Sequence, residues 1–171
     1  MAGSIRTNLD PLENYTDVEC LDALRRVHLD LDLSFEVGGG SSTNLSAGQR
    51  QQIALARAML RNTAITVLDE ATSNIDLELD LKIQAAIREA FSEGIVISIA
   101  HRLATVIGAP MRRDALSPAD YDRIAVMRDG VLIETGRPAD LLAKDSSELR
   151  AMAVKSGELD LLIQAANRAA L

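Results

Sequence analysis

Two separate segments of this 171-residue sequence carry side chains that together suit phosphate chemistry. Ser46 to Gln49 has a serine and a glycine at the predicted start of a helix, where free backbone N–H groups and the positive end of the helix dipole attract an anion. Further along, an apolar run ends in Asp69 and Glu70. One carboxylate would hold a hydrated Mg2+ and the next would orient a water molecule. A phosphate site and a magnesium site together indicate a nucleotide.

Each segment also has an ordinary structural explanation when it is taken alone. Ser46 would simply cap the helix that follows it, because serine is a preferred N-cap residue. Asp69 and Glu70 would be an acid pair in a loop or at the start of a helix. The motifs that accompany these residues along the chain favour the chemical explanation over the structural one.

Four segments carry a resemblance to the ATP-binding cassette (ABC) family. Leu45–Gln49 resembles the signature motif of that family, and Thr66–Glu70 resembles its Walker B strand. Ser73–Asp76 is similar to the D-loop, and Ala100–Arg102 lies where the family has its switch histidine. Four motifs in the family order and at the family spacing are far more specific than any one of them.

The beginning of the chain resembles one branch of that family. Asn8–Pro11, Tyr15, Asp17 and Ala23–Leu29 are similar to the second nucleotide-binding domain of the multidrug-resistance-associated (C) subfamily. The resemblance implies a parent transporter that couples ATP hydrolysis to solute export. The chain itself would be soluble and would be held at the cytosolic face of the membrane through the parent transporter.

The resemblance implies a metal-binding role for Asp69 and catalytic roles for Glu70 and His101. Asp69 would hold Mg2+ through water, and Glu70 would orient, or accept a proton from, the water that attacks the γ-phosphate of ATP. His101 would donate a hydrogen bond to the γ-phosphate and report its presence. An ordinary loop histidine is the structural alternative for His101.

The resemblance also implies a partner. Ser46, Gly48 and Gln49 would contact ATP bound to a second nucleotide-binding domain, so that two domains enclose two nucleotides. Asp76 would lie at the interface between the two domains and couple one site to the other. Transmembrane domains of the parent transporter would be the other partners.

The elements that must position these residues form an α/β fold. Three short apolar runs, at 64–68, 95–99 and 124–127, predict strands of a parallel sheet covered by helices on both faces. Between the first two runs, Ile83, Ile87 and Phe91 form a helical stripe that Gly94 closes, which gives one strand–helix–strand crossover. This pattern predicts an α/β fold, and the resemblance implies its class, a P-loop NTPase-like ABC ATPase domain with a parallel sheet flanked by helices.

The remaining segments predict connecting structure. Met1–Pro11 is expected to be irregular, and Asp17 is expected to cap a helix. Arg128–Gly130 indicates a hairpin turn, and helices are expected to open at Pro138 and at Ser146. A terminal amphipathic helix follows with its apolar residues at Leu159, Leu162, Ile163 and Ala166.

One motif of the family is missing from these residues. No GxxxxGK[ST] segment occurs, and the glycine-rich Gly38–Ser42 has no lysine, so we expect it to be a lead-in to the signature segment and not a phosphate loop. The sequence therefore predicts a truncated domain without the Walker A strand and loop. Loss of that strand would leave apolar sheet edges exposed.

The expected organisation is a partial nucleotide-binding domain over residues 1–171. Residues 1–60 would contain the rest of the helical subdomain and the signature helix. Residues 61–145 would contain the Walker B, D-loop and switch-histidine core, and residues 146–171 the C-terminal helices. Within the core, the segment 108–119 departs from the family as an atypical insertion, either a surface loop or the product of a mis-built gene model.

Composition excludes several other classes of function. The net charge of −7 without a basic cluster argues against a nucleic-acid partner. The single cysteine, Cys20, forms no internal disulfide, and with only His28 and His101 it provides no metal cluster. No apolar run approaches the roughly 20 residues that span a bilayer.

Three hypotheses follow from the sequence. The chain is a piece of an ABC transporter ATPase, or a docking module that supplies its signature motif to a complete partner domain and does no chemistry itself. The third is a soluble ABC ATPase of the chromosome-maintenance kind, which the acidic composition disfavours. In every case we expect the isolated chain to have negligible ATPase activity, because phosphoryl transfer depends on the phosphate loop and its lysine.

Overall fold

A computed structural model of the chain describes residues 2–38, 45–99 and 121–168. The chain divides into two compact units, Met1–Ile99 and Ala100–Leu171. Each unit has its own cluster of buried apolar side chains.

The first unit opens with short elements where the sequence predicted irregular structure. Strand β1 (Gly3–Ser4) pairs antiparallel with β2 (Glu36–Val37), and helix α1 spans Ile5–Leu9. Ser4 caps α1, whose Ile5 and Leu9 side chains are buried in the core of the unit. The prediction for Met1–Pro11 was wrong because so short a helix has no periodicity to detect and is stabilised by packing.

Helix α2 spans Asp17–Arg26, and its cap is Thr16, not Asp17 as predicted. The Thr16 side chain accepts a hydrogen bond from the N–H of Glu19, and the Glu19 side chain accepts one from the N–H of Thr16. This reciprocal arrangement is a capping box, in which a Ser or Thr cap is followed three residues later by Glu or Gln. His28 follows the helix as an exposed residue with a positive φ of 56°.

The sequence predicts a helix from Gly48 to about Leu60, and helix α3 spans Ala47–Arg61. Helical spacing places Ile53, Ala56 and Leu60 on one face, and Ile53 and Ala56 are fully buried. The same spacing places Gln52 away from that face, but Gln52 is also buried, and its Nε2 donates to the Val27 carbonyl at 2.8 Å. The bond satisfies the buried amide and ties α3 to the end of α2.

A parallel crossover follows α3. Strands β3 (Ile65–Asp69) and β4 (Ile95–Ile99) pair parallel, and helix α4 (Leu77–Ala90) connects them. The predicted stripe of Ile83, Ile87 and Phe91 is confirmed, because all three side chains are buried in the core of the unit.

The prediction that these strands are covered on both faces was wrong. Thr66 and Leu68 face the core, whereas Ile65 and Val67 are 58% and 62% exposed. Ile97 on β4 is 50% exposed in the same way. An unbroken apolar run carries no information about which of its two faces is covered, so this difference was not visible in the sequence.

The described part of the second unit contains the predicted hairpin. Strands β5 (Ile124–Arg128) and β6 (Val131–Gly136) pair antiparallel, and the turn residues Asp129 and Gly130 have positive φ values of 51° and 78°. This geometry suits a two-residue hairpin turn. Within the described residues β5 pairs with β6, and β3 pairs with β4.

Three helices complete the described part of the second unit: α5 (Pro138–Leu142), α6 (Glu148–Ser156) and α7 (Leu159–Arg168). Proline opens α5 as predicted, and Ser147, one residue after the predicted Ser146, caps α6. In the described residues no helix has the length and apolar character needed to cross a membrane. The switch-histidine segment, most of the glycine-rich lead-in and the segment 108–119 lie outside the described residues.

Candidate functional site

Ser46 is the N-cap of α3, as predicted. Its Oγ accepts a hydrogen bond from the N–H of Gln49 at 3.0 Å, and its own N–H donates to Gln49 Oε1 at 2.9 Å. Ser46 is exposed, and the first turn of the helix contains no acidic residue. No acid of that turn compensates the positive end of the helix dipole, which suits an anion.

Gly48 lies against the turn that follows Glu70. A Cβ atom built at Gly48 would lie 2.9 Å from the carbonyl oxygen of Asn74 and 3.7 Å from Cγ1 of Ile75. The first distance is shorter than a Cβ contact allows, and the obstacle is backbone. The start of α3 can therefore approach this turn only because residue 48 has no side chain.

Asp69 and Glu70 lie at the carboxyl end of β3, and both side chains are exposed. The N–H of Glu70 donates to the Ile99 carbonyl at 3.0 Å, which extends the pairing with β4 by one residue. Glu70 has a φ of 48°, in the left-handed region that costs a non-glycine residue about 1–2 kcal/mol. Strained backbone of this kind is frequent at functional sites.

The chain then folds into two consecutive turns, which we call the 70–75 turn after its residue range. The N–H of Ser73 donates to the Glu70 carbonyl at 3.1 Å, and the N–H of Ile75 donates to the Thr72 carbonyl at 3.1 Å. The turn connects the acidic end of β3 to the start of α4.

Asp76 ends this connection as the N-cap of α4. Its Oδ1 accepts from the N–H of Leu79 at 3.1 Å, and its carbonyl accepts from the N–H of Asp80 at 2.8 Å. The side chain is exposed and has a local structural role. Its predicted place at an interface between two domains stays a prediction.

Gln51 joins the two parts of the site, and the sequence did not reveal it. Its Nε2 donates to the Glu70 carbonyl at 3.1 Å and to Ser73 Oγ at 2.9 Å, and its Oε1 accepts from the N–H of Asn74 at 3.0 Å. The one available signal was helical spacing, since residues three apart share a helix face and Gly48 precedes Gln51 by three.

The donor chemistry at the end of β3 fits Mg2+. Asp69 offers an exposed carboxylate, a hard oxygen ligand. No group of three or more His, Cys, Asp or Glu side chains lies together in the described ranges. Mg2+ retains several waters and needs only one or two protein carboxylates, so a single aspartate suffices for a hydrated ion.

The structure thus brings together the signature segment, Gln51 and the 70–75 turn that carries Glu70. It does so through the contact of Gly48 with Asn74 and the hydrogen bonds of Gln51. His101 lies outside the described residues, so its distance from Glu70 stays a prediction.

Comparison with known proteins identifies the family. The family model described as ABC transporter matches residues 3–73. The ATP-dependent bile acid permease of Saccharomyces cerevisiae is 39% identical over 98% of this chain and 11% of that protein. ATP-binding cassette sub-family C member 2 of Homo sapiens is 45% identical over 82% of this chain and 9% of that protein. The chain thus spans about a tenth of the length of these curated relatives.

A solved structure agrees with these relatives. The structure of a bacterial Atm1-family ABC exporter with ATP bound is similar to this chain with a TM-score of 0.75 and 28% sequence identity, over 92% of this chain and 27% of that one. The predicted ABC ATPase fold is therefore confirmed. The chain belongs to the ATP-binding cassette transporter family, as part of an ATPase domain whose relatives include transporters of the C subfamily.

Proposed function

We propose that this chain supplies the signature, Walker B and D-loop portion of an ABC transporter ATPase domain, and that the parent transporter couples ATP binding and hydrolysis to solute export. The observation that carries the proposal is the preformed start of α3. Its exposed cap, Ser46, is joined through Gly48 and Gln51 to the turn that carries Glu70. The anion site would serve ATP on a partner domain, and the acidic strand end would supply groups for hydrolysis, so each end of this arrangement provides a part of what phosphoryl transfer needs.

The start of α3 would contact ATP held by a second nucleotide-binding domain. Ser46 would donate its hydroxyl to the γ-phosphate, while Gln49 maintains the cap through its hydrogen bonds with Ser46. Gly48 would present a backbone N–H of the first helical turn to the phosphate. The partner is therefore required for a complete site.

The end of β3 would supply the groups for hydrolysis. Glu70 would orient, or accept a proton from, the attacking water, and its exposed side chain leaves it accessible to that water. Asp69 would hold Mg2+ through water, and Mg2+ when bound neutralises charge on the phosphates. His101 would donate a hydrogen bond to the γ-phosphate.

The proposal has two partners, the second nucleotide-binding domain and the transmembrane domains of the parent transporter. Asp76, at the start of α4, would lie at the interface with the second nucleotide-binding domain and couple the two sites. Transmembrane domains of the parent transporter would carry the solute, and this ATPase portion would lie on the cytosolic face. The relatives named as a permease and an exporter support this assignment.

The isolated 171 residues would have negligible ATPase activity. They contain no GxxxxGK[ST] segment, and without a phosphate loop and its lysine the β- and γ-phosphates lose most of their binding and charge stabilisation. The alternative function is a docking module that gives its signature motif to a partner cassette domain and does no chemistry itself. The exposed and preformed Ser46 cap favours this alternative as a role for the isolated chain.

The test mixes the purified chain with an intact cassette domain and measures ATP turnover. We expect the mixture to turn over ATP, and Ser46→Arg to lower this turnover about a hundredfold, since loss of one preorganised donor costs that much. Thr16→Arg, which replaces the cap of α2, is the matched control and should leave turnover unchanged. Turnover that survives Ser46→Arg contradicts the site. Turnover by the chain alone that disappears in Glu70→Gln contradicts its predicted inactivity.

A further inference from the structure

The side-chain amide of Gln51 makes three hydrogen bonds, and all of them reach the 70–75 turn. Both donor positions of Nε2 are used, one on the Glu70 carbonyl and one on Ser73 Oγ. The acceptor Oε1 takes the N–H of Asn74. Because an amide has distinct donor and acceptor ends, this set fixes both the direction and the distance of the turn from α3.

The adjacent glutamine shows that this arrangement is specific to one position. Gln52 has the same side chain on the same helix, but its Nε2 donates to the Val27 carbonyl at the end of α2. Gln52 therefore supports the packing of two helices, whereas Gln51 contacts the turn of the candidate site. The pair provides a matched control within one helix.

The main chain at Glu70 needs such support. Its φ of 48° is unfavourable for a residue with a Cβ atom, and strained backbone persists only where its surroundings hold it. The carbonyl of Glu70 accepts from two donors, the N–H of Ser73 at 3.1 Å and Nε2 of Gln51 at 3.1 Å. The first bond is internal to the turn, and the second connects it to α3.

We propose that Gln51 is a positioning residue that holds the 70–75 turn against α3 and so sets the place of Glu70 relative to Ser46. Gln51 contacts the main chain of Glu70, and acts on the chemistry only by fixing this geometry. The assignment rests on the proposed function, because it concerns the relation between the anion site and the acidic strand end. It adds a coupling between them that the four sequence motifs do not contain.

The first test measures amide hydrogen exchange in the full chain by NMR. Gln51→Met removes the acceptor, so the N–H of Asn74 should exchange about tenfold faster, in line with one lost hydrogen bond. Gln52→Met should leave Asn74 exchange within about twofold of the original chain. Gln51→Glu retains an acceptor oxygen, so the N–H of Asn74 should exchange within about threefold of its rate in the original chain. Unchanged Asn74 exchange in Gln51→Met overturns the proposal.

A second measurement covers the case in which Gln51→Met fails to fold. The N–H of Cys20, which donates to the Thr16 carbonyl in α2, reports on the fold of the unit. If the N–H groups of Cys20 and Asn74 both lose protection from exchange in Gln51→Met, the unit is unfolded in that variant, and the Gln51→Glu variant tests the proposal instead. Its carboxylate cannot donate to the Glu70 carbonyl, so the carbonyl carbon resonance of Glu70 should shift, and an unchanged resonance overturns the proposal.

The functional test uses the mixture with an intact cassette domain. We expect Gln51→Met to lower kcat about tenfold and to keep KM for ATP within about twofold of its original value. Misplacement of Ser46 and Glu70 relative to each other should weaken contacts in the transition state more than it weakens ATP binding. Gln52→Met should change neither constant. Lost Asn74 protection with an unchanged kcat overturns the positioning role. A mixture of unaltered proteins without turnover instead refutes the proposed function, and the amide exchange still decides whether Gln51 holds the turn.

Discussion

Helices α2 and α3 begin with the same local arrangement in different surroundings. Thr16 and Glu19 form a capping box at α2, and Ser46 and Gln49 form one at α3. The first turn of α2 carries two acids, whereas that of α3 carries none. The acids of α2 compensate its helix dipole internally, and the neutral glutamine of α3 satisfies the same N–H while leaving the dipole available to an external anion.

The second helical position differs as well. In α2 it is Val18, which is 72% exposed, and in α3 it is Gly48, which lies against the Asn74 carbonyl. A capping box therefore starts both helices. It becomes a candidate anion site only at α3, where the first turn carries no acid and Gly48 lies against the Asn74 carbonyl. This difference between the two helices can be tested by changing one position at a time.

The largest expected effect comes from Gly48→Ala. Helix propensity alone predicts stabilisation by about 0.5–1 kcal/mol. The new Cβ would instead meet the Asn74 carbonyl, and forcing an atom into a packed contact costs about 1–3 kcal/mol. We therefore expect a net loss of roughly 1–2 kcal/mol in the free energy of unfolding, measured with urea. Val18→Ala at the equivalent position of α2 should change it by less than about 0.5 kcal/mol. A stabilised Gly48→Ala protein would show that α3 does not press against the turn.

A smaller effect is expected from Gln49→Glu, which gives α3 a glutamate at the third helical position, where α2 has Glu19. The capping box is retained, and a carboxylate at a helix N-terminus should stabilise the chain by about 0.3–1 kcal/mol. In the mixture with an intact cassette domain, KM for ATP should rise about fivefold, because the added charge repels phosphate. Glu19→Gln is the control and should leave KM unchanged. An unchanged KM in Gln49→Glu would mean that no phosphate approaches this end of α3.

The elements around the site were predictable because their signals are local. The serine cap, the helical stripe of Ile83 and Ile87, and the Asp129–Gly130 turn each lie within one element and depend on spacing or on a residue type that the backbone requires. Asp69 and Glu70 were found at a strand end for the same reason. The Thr16–Glu19 pair has the spacing of a capping box, and that local signal indicates Thr16, not Asp17, as the cap.

The remaining features depend on contacts between distant parts of the chain. Gln49, Gln51 and Gln52 are identical side chains within four residues, and each has a different partner in the structure. No rule of composition or periodicity assigns those partners, because they are set by what packs beside the helix. The exposed face of β3 was hidden for the same reason, since burial belongs to the assembled sheet and not to the apolar run.

The smallest expected effect is a difference in pH dependence between the two caps. The Thr16 N–H and hydroxyl both donate to the Glu19 carboxylate at 2.7 Å, which lowers the pKa of Glu19 in the folded chain. A lowered folded pKa contributes stability that is complete above the unfolded value of about 4.3 and is lost as the pH falls through the folded value. Gln49 does not titrate, so the cap of α3 has no such dependence.

This dependence is measured as the difference in urea midpoint between the original chain and Glu19→Gln, from about pH 6 down to about pH 3. The advantage of the original chain should shrink as the pH falls, since the protonated carboxyl is no longer a charged acceptor for the Thr16 N–H. Gln49→Glu should introduce the same dependence at α3, with its advantage over the original chain greatest near pH 6 and lost on acidification. A difference that stays constant across this range for either pair would mean that charge does not distinguish the two caps, and that Gly48 and Gln51 alone set α3 apart from α2.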